Sequence, residues 1–150
     1  MNNLTFGSPR FTYYETIGGG QGGTPQGPGP SAVHVAMSNT LNTPVEALET
    51  AYPLRVERYT LRAGSGGAGR HPGGDGVVRT LTVLEPCEAS ILSDRRRHPP
   101  RGAAGGRPGR TGSNRLNQRK LGAKARMTLK AGDTVTILTP GGGGYWPNGA

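Results

Sequence analysis

The sequence predicts an α+β fold, mainly antiparallel β, with one short helix and long Gly-rich loops. Three observations carry that expectation. Segments rich in Val, Thr and Tyr, such as RVERYTLRA (55–63) and GVVRTLTVL (76–84), read as strands. Glycine turns separate most of them, which suits antiparallel neighbours better than βαβ units. One segment alone, NTPVEALET (42–50), carries a helix start.

In chain order, residues 1–17 read as an extended segment anchored by Leu4, Phe6, Phe11, Tyr13 and Ile17, and residues 18–31 as a Gly/Pro/Ser loop. Val33 and Val35 alternate with His34 and Ala36, which predicts a short strand. A helix over Pro44–Ala51 follows, with Thr43 and Glu46 forming a capping box, Pro44 at the first helical position, and Val45 and Leu48 facing inward. CEASIL places Cys87, Ala89 and Ile91 on one face, and KARMTL does the same with Ala125, Met127 and Leu129. A turn at AGD (131–133) then leads into Val135 and Ile137, so these last two segments are expected to form a hairpin.

The whole of 1–150 reads as a single region, long enough to bury roughly 70% of its unfolded surface. Its 27 glycines and 13 prolines leave a thin core. The net charge of +9 is local, because Asp94–Arg126 holds eleven basic residues and one acid. Such a stretch can neutralise phosphates, but it contains no aromatic on which bases could stack. A solvated basic loop is favoured, and nucleic acid is not expected as a partner. One cysteine, Cys87, allows no internal disulfide; with no apolar leader-like start and no membrane-length apolar run, the expectation is a cytoplasmic protein without membrane contact.

Chemistry is sparse on residue evidence. Two stretches match G-x-G-x-x-G, at Gly18/Gly20/Gly23 and Gly64/Gly66/Gly69, but neither opens a helix, so nucleotide binding there is disfavoured. No P-loop, H-x-x-x-H, C-x-x-C or G-x-S-x-G occurs. His34, His71 and His98 stand far apart, so no metal site is expected within the chain. His71 and His98, each before proline, are expected to be solvated, and His34 to be hydrogen-bonded in its strand.

Five segments in one order, NNLTFG, YYETIGGG, VHVAMSNTLNTPVEALETAYP, SGGAGRHPGGDGVVR and TPGGGGYW, resemble the C-terminal part of the hydantoinase B / 5-oxoprolinase family, from Asn2 to about Tyr145. That resemblance implies part of an ATP-dependent cyclic-amide hydrolase, opening 5-oxoproline or hydantoin rings. It implies as partners a hydantoinase A-type ATPase subunit and the N-terminal part of a hydantoinase B-type subunit, with a small-molecule substrate. ATP and a divalent metal are implied for the whole assembly, with no cofactor in this chain. The metal ligands are expected in the N-terminal part, so the chain reads as a fragment, inactive alone. An acetone or acetophenone carboxylase-type subunit is the alternative within the family, and a basic nucleic-acid-binding or structural remnant the alternative outside it. The substrate-site candidates are His34, Asn39, Thr40, Asn42, Glu46 and Glu15, supporting substrate or metal ligands from elsewhere; for Glu46 the capping box is the favoured role. Departures from the family pattern are Ala36 and Ser38 after His34, His71-Pro72 in GRHPGGDG, and Trp146 after Tyr145. The glycines after Glu15 are expected to let a neighbouring segment or substrate approach, and to be mobile if that neighbour is missing.

Overall fold

A computed structural model describes residues 1–35 and 38–149. Among the described residues, nine strands and one helix run β1 (Asn2–Ser8), β2 (Phe11–Thr16), α1 (Val45–Ala51), β3 (Leu54–Leu61), β4 (Val77–Val83), β5 (Cys87–Ser93), β6 (Ser113–Leu116), β7 (Arg119–Leu121), β8 (Lys124–Leu129) and β9 (Thr134–Leu138). All strand pairings are antiparallel, in a four-stranded sheet β2-β1-β5-β8 and a five-stranded sheet β3-β4-β9-β6-β7. The α+β expectation holds.

Alternation sets the faces. Along β5, Cys87, Ala89, Ile91 and Ser93 are buried while Glu88, Ser90 and Leu92 are exposed, the period of two that a half-buried strand imposes. Leu4 and Phe6 of β1, Leu129 of β8, Leu81 and Val83 of β4 and Val135 and Ile137 of β9 meet in one apolar cluster between the sheets. Leu48 of α1 is fully buried in the same cluster.

Three local expectations are corrected. The segments 124–129 and 134–138 do not form a hairpin: β8 pairs with β5, and β9 pairs with β4 and β6. The turn between them, closed by Asp133 N–H donating to the Lys130 carbonyl at 3.0 Å, carries the chain from one sheet to the other. Both strands still point alternate residues at the common core, which is why the pattern alone looked like a hairpin. The strand expected at Val33 and Val35 is a single bridge between Gly19 and Val33, because its partner is an irregular glycine segment; Ala36 lies outside the described residues. The capping box does not form. Pro44 is the N-cap and no side chain caps the helix.

The glycine segments themselves are the least expected feature. Gly141 to Gly144 are buried and make no hydrogen bond to one another. Their amides and carbonyls instead reach outward. Gly142 N–H donates to Gly74 (2.9 Å) and Gly144 N–H to Arg107 (2.8 Å), while the carbonyls of Gly142, Gly143 and Gly144 accept from Gly67, Gly23 and Ala103 at 2.8, 2.8 and 2.9 Å. A Cβ built on Gly141 would strike Ser65, one on Gly142 Gln21, one on Gly143 Arg101, and one on Gly144 Ala68. The first and last of these point at the same neighbouring segment, three residues on. Three residues per turn without internal hydrogen bonds is the geometry of a polyproline II chain, in which only glycine fits a crowded axis. None of these four glycines has positive φ. They are required for closeness, not for backbone conformation.

The stretch 18–23 joins this bundle. A Cβ on Gly20 would lie 1.9 Å from the Gly74 carbonyl oxygen, and one on Gly23 2.3 Å from that of His71. The neighbour that the glycines admit is thus the chain's own backbone, not a missing one. Asp75 fixes one corner, accepting from Gly64 N–H (3.2 Å), Gly66 N–H (2.7 Å) and Ser65 Oγ (3.3 Å). Burial pushes its carboxyl up, but these donors outweigh that and hold it below the ordinary carboxylate value.

Replacing Gly142 with Ala puts a Cβ 1.9 Å from the Gln21 carbonyl oxygen. Thermal denaturation followed by circular dichroism is expected to show loss of more than about 4 kcal/mol, or no folded protein. Gly27→Ala, where the added methyl meets nothing within 4 Å, is expected to stay within about 0.5 kcal/mol of the parent. Equal stability of the two variants would refute backbone-on-backbone packing.

Candidate functional site

At the open edge between β2 and β3 a polar network replaces the apolar core. β2 presents Tyr13 and Glu15 on its inner face, and β4 presents Arg79 between the buried Val77 and Leu81. A guanidinium at such a register must find an anion, because an unpaired buried charge costs several kcal/mol. Arg79 donates to Glu15 through Nη2 at 3.1 Å and Nε at 3.3 Å. The Tyr13 hydroxyl donates to the same carboxylate at 3.0 Å. Tyr59, opposite Arg79 in the β3–β4 ladder, lays its ring 4.6 Å from the guanidinium carbon.

The network continues into the loop before α1. Asn42 donates through Nδ2 to the Tyr59 hydroxyl at 2.9 Å, so its Oδ1 faces His34 Nε2 at 3.2 Å. That pairing puts the imidazole hydrogen on Nε2 and leaves Nδ1 as an acceptor. Nδ1 is buried without a partner among the described residues, as is Nη1 of Arg79. Tyr14, Glu15, Thr16 and residues 40–43 line a cavity of about 270 Å³ beside this chain of contacts.

Burial first, then the Glu15 carboxylate, pushes the Tyr13 hydroxyl up to about 12, with Thr43 and Arg79 opposing. Burial likewise raises Tyr59. Glu15, which accepts from Arg79 and Tyr13, is a charge-balancing and orienting group and not a free base.

Of the six candidates, the structure brings Glu15, His34 and Asn42 into one network and sets Thr40 on its cavity wall. Asn39 is exposed on the approach to α1, and Glu46 is exposed on the helix. Neither joins the network. His34 is hydrogen-bonded, though not within a strand. His71 is not simply solvated: Nδ1 meets the Thr24 carbonyl at 2.6 Å and its ring packs against Trp146, centroids 5.5 Å apart. Two of the departures from the family pattern thus pack on each other. Tyr13, Thr43, Tyr59 and Arg79 were missed as site residues. A charged residue at an inward position of an apolar strand was the available signal for Arg79, and Glu15, two residues after inward Tyr13, for its partner.

Among the described residues no group of three or more His, Cys, Asp or Glu could hold a metal ion. The side chains present therefore do not fit the implied divalent metal, and no step is routed through one. No helix among them is long and apolar enough to cross a membrane.

The family model for hydantoinase B/oxoprolinase matches residues 1–147. The chain belongs to the hydantoinase B/oxoprolinase family. It is 49% identical over 153 residues to 5-oxoprolinase 1 of Arabidopsis thaliana, covering 99% of this chain and 12% of that protein. The fold matches the ATP-dependent caprolactamase of Pseudomonas jessenii with a TM-score of 0.80 and 25% identity, over 97% of this chain and 28% of that one. It also matches a nucleotide-free acetone carboxylase with a TM-score of 0.65 and 17% identity, over 97% of this chain and 25% of that one. This last likeness concerns the fold alone. The chain spans about an eighth of the plant relative's length.

A spectrophotometric titration at the phenolate band is expected to resolve one tyrosine ionising at about 12, absent in Tyr13→Phe. Because the folded value lies above the unfolded one, Tyr13 contributes stability that is full below about pH 10 and is lost as pH rises toward 12. Ionisation of all five tyrosines near 10 in the folded protein would contradict the network.

Proposed function

We propose that this chain forms one wall of the substrate site in an ATP-dependent hydrolase of cyclic amides, 5-oxoproline foremost. The observation that carries this reading is the 49% identity with a 5-oxoprolinase across 99% of the chain. The network at the β2–β3 edge supports it. A lactam offers an N–H donor and a carbonyl acceptor side by side, and the loop 40–43 presents hydroxyl and amide groups of both kinds around a cavity of about 270 Å³. Asn42 orients this wall, held on one side by His34 and on the other by Tyr59. Glu15 and Arg79 fix the strands beneath it.

The remaining functions fall to other segments. We propose that a hydantoinase A-type ATPase subunit uses ATP to activate the amide oxygen, and that the rest of the hydantoinase B-type polypeptide supplies the metal ligands. On that division of labour the chain turns over nothing alone. A carboxylase-type subunit acting on a ketone is the second reading, supported by the likeness to acetone carboxylase in fold.

The test is reconstitution. The chain is combined with the complementary hydantoinase B-type segment and ATPase subunit, and ADP release is followed with and without 5-oxoproline. ADP release stimulated by 5-oxoproline is expected only with all components. Asn42→Ala, at an exposed position, is expected to lower kcat/KM about tenfold, about 1.4 kcal/mol, with an unchanged melting temperature. Stimulation by acetone with bicarbonate and not by 5-oxoproline would favour the second reading. Full activity of the mixture lacking this chain would sink both.

A further inference from the structure

The basic segment after β5 is not accounted for by the ring-opening reading. Its arginines divide by environment. Arg96 is turned inward, donating to Asn114 Oδ1 (2.7 Å through Nη2) and Asn2 Oδ1 (2.6 Å), and burial lowers it to about 10. Arg95, His98 and Arg101 are exposed. Among the described residues none of these three lies within ion-pair distance of a carboxylate; Asp94, the one acid of the segment, pairs with the N-terminal amine.

Arg95, His98 and Arg101 line the same cleft, of about 880 Å³, together with Gly20, Gly22, Gly142 and Gly143 of the glycine bundle. The backbone N–H groups of Gly22 and Gly143 have no acceptor among the described residues, whereas Gln21, Gly23, Gly142 and Gly144 all donate. Glycine here leaves the amides unshielded by any side chain. The volume lies in the range of small-molecule sites. Amides without an acceptor and arginines without a carboxylate partner, lining one cleft, are the donors an anion needs. Guanidinium pairs and several donors favour a phosphate group over a carboxylate, because phosphate offers more acceptor oxygens and a second negative charge.

We propose that this cleft binds a phosphate-bearing small molecule, held by Arg95, Arg101 and His98 together with the amides of Gly22 and Gly143. The site is separate from the network at the β2–β3 edge, shares no residue with it, and stands whether or not the ring-opening reading does.

Isothermal titration calorimetry of the 150-residue chain tests it, with inorganic phosphate, pyrophosphate and ATP as probes at fixed ionic strength. Saturable one-to-one binding is expected for at least one of them; which probe binds tightest tells a free phosphate site from a diphosphate or nucleotide site. Arg101→Ala is expected to weaken that binding about tenfold or more, and His98→Gln by a smaller factor. Arg115→Ala, exposed in the same basic stretch but outside the cleft, is expected to stay within about twofold, the change a purely long-range charge makes in salt. Melting curves of each variant confirm folding. No saturable heat with any probe, equal weakening by Arg115→Ala, or binding confined to long polyanions such as RNA would each overturn the proposal.

Discussion

Backbone packed directly on backbone at Gly141–Gly144 is the constraint on which the rest of this structure depends. Four consecutive residues touch segments at 21–23, 65–68, 74 and 101–110, and a single added methyl at any of the four lands within 2.3 Å of a carbonyl oxygen. A buried N–H or C=O left unpaired costs about 1–3 kcal/mol, and here the N–H groups of Gly141, Gly142 and Gly144 and the carbonyls of Gly142, Gly143 and Gly144 are each met by a neighbouring segment. The thin apolar core expected from the composition is compensated by this polar backbone packing.

The bundle also decides where the sheets end. The segment after β2, the two segments between β3 and β4, the long connection from β5 to β6 and the tail after β9 all converge on it. Strands of both sheets are therefore tied together at one end by hydrogen bonds, while the apolar cluster joins them in the middle. At the β2–β3 edge the sheets are also linked by Glu15 and Arg79. The polar network borders the apolar cluster, to which its Tyr13 belongs.

Much of the fold was legible because strand alternation is a local property. Cys87, Ala89 and Ile91 share a buried face as their spacing requires. Alternation tells which face a residue takes but not which sheet a strand joins, so β8 and β9 were wrongly read as a hairpin. The glycine bundle was invisible for a related reason. Its order lies in contacts between segments with no period of their own, and GGGQGG looks the same in a loose linker as in a packed axis. At the site, Glu15, His34 and Asn42 were reached through family resemblance; Tyr59, read alone, is an ordinary strand residue, and the inward charge of Arg79 names no partner until the fold sets Glu15 beside it. Glu46, a substrate-site candidate for which a capping role was favoured, takes neither place, because Pro44 is the N-cap and no side chain caps the helix.

Family membership and geometry place different weights on the chain. The resemblance concerns what the larger relatives do, while the structure concerns a rigid wall with two polar edges, one uncharged overall at Glu15–Arg79 and one strongly basic at Arg95–Arg101. Both edges require the glycine bundle to be ordered in solution. Amide hydrogen exchange across residues 18–23, 64–74 and 141–144, read by mass spectrometry, measures this most directly. Protection comparable with that of β1 and β5 is predicted. Exchange there at the rate of an unstructured peptide, with the strands still protected, would contradict the account.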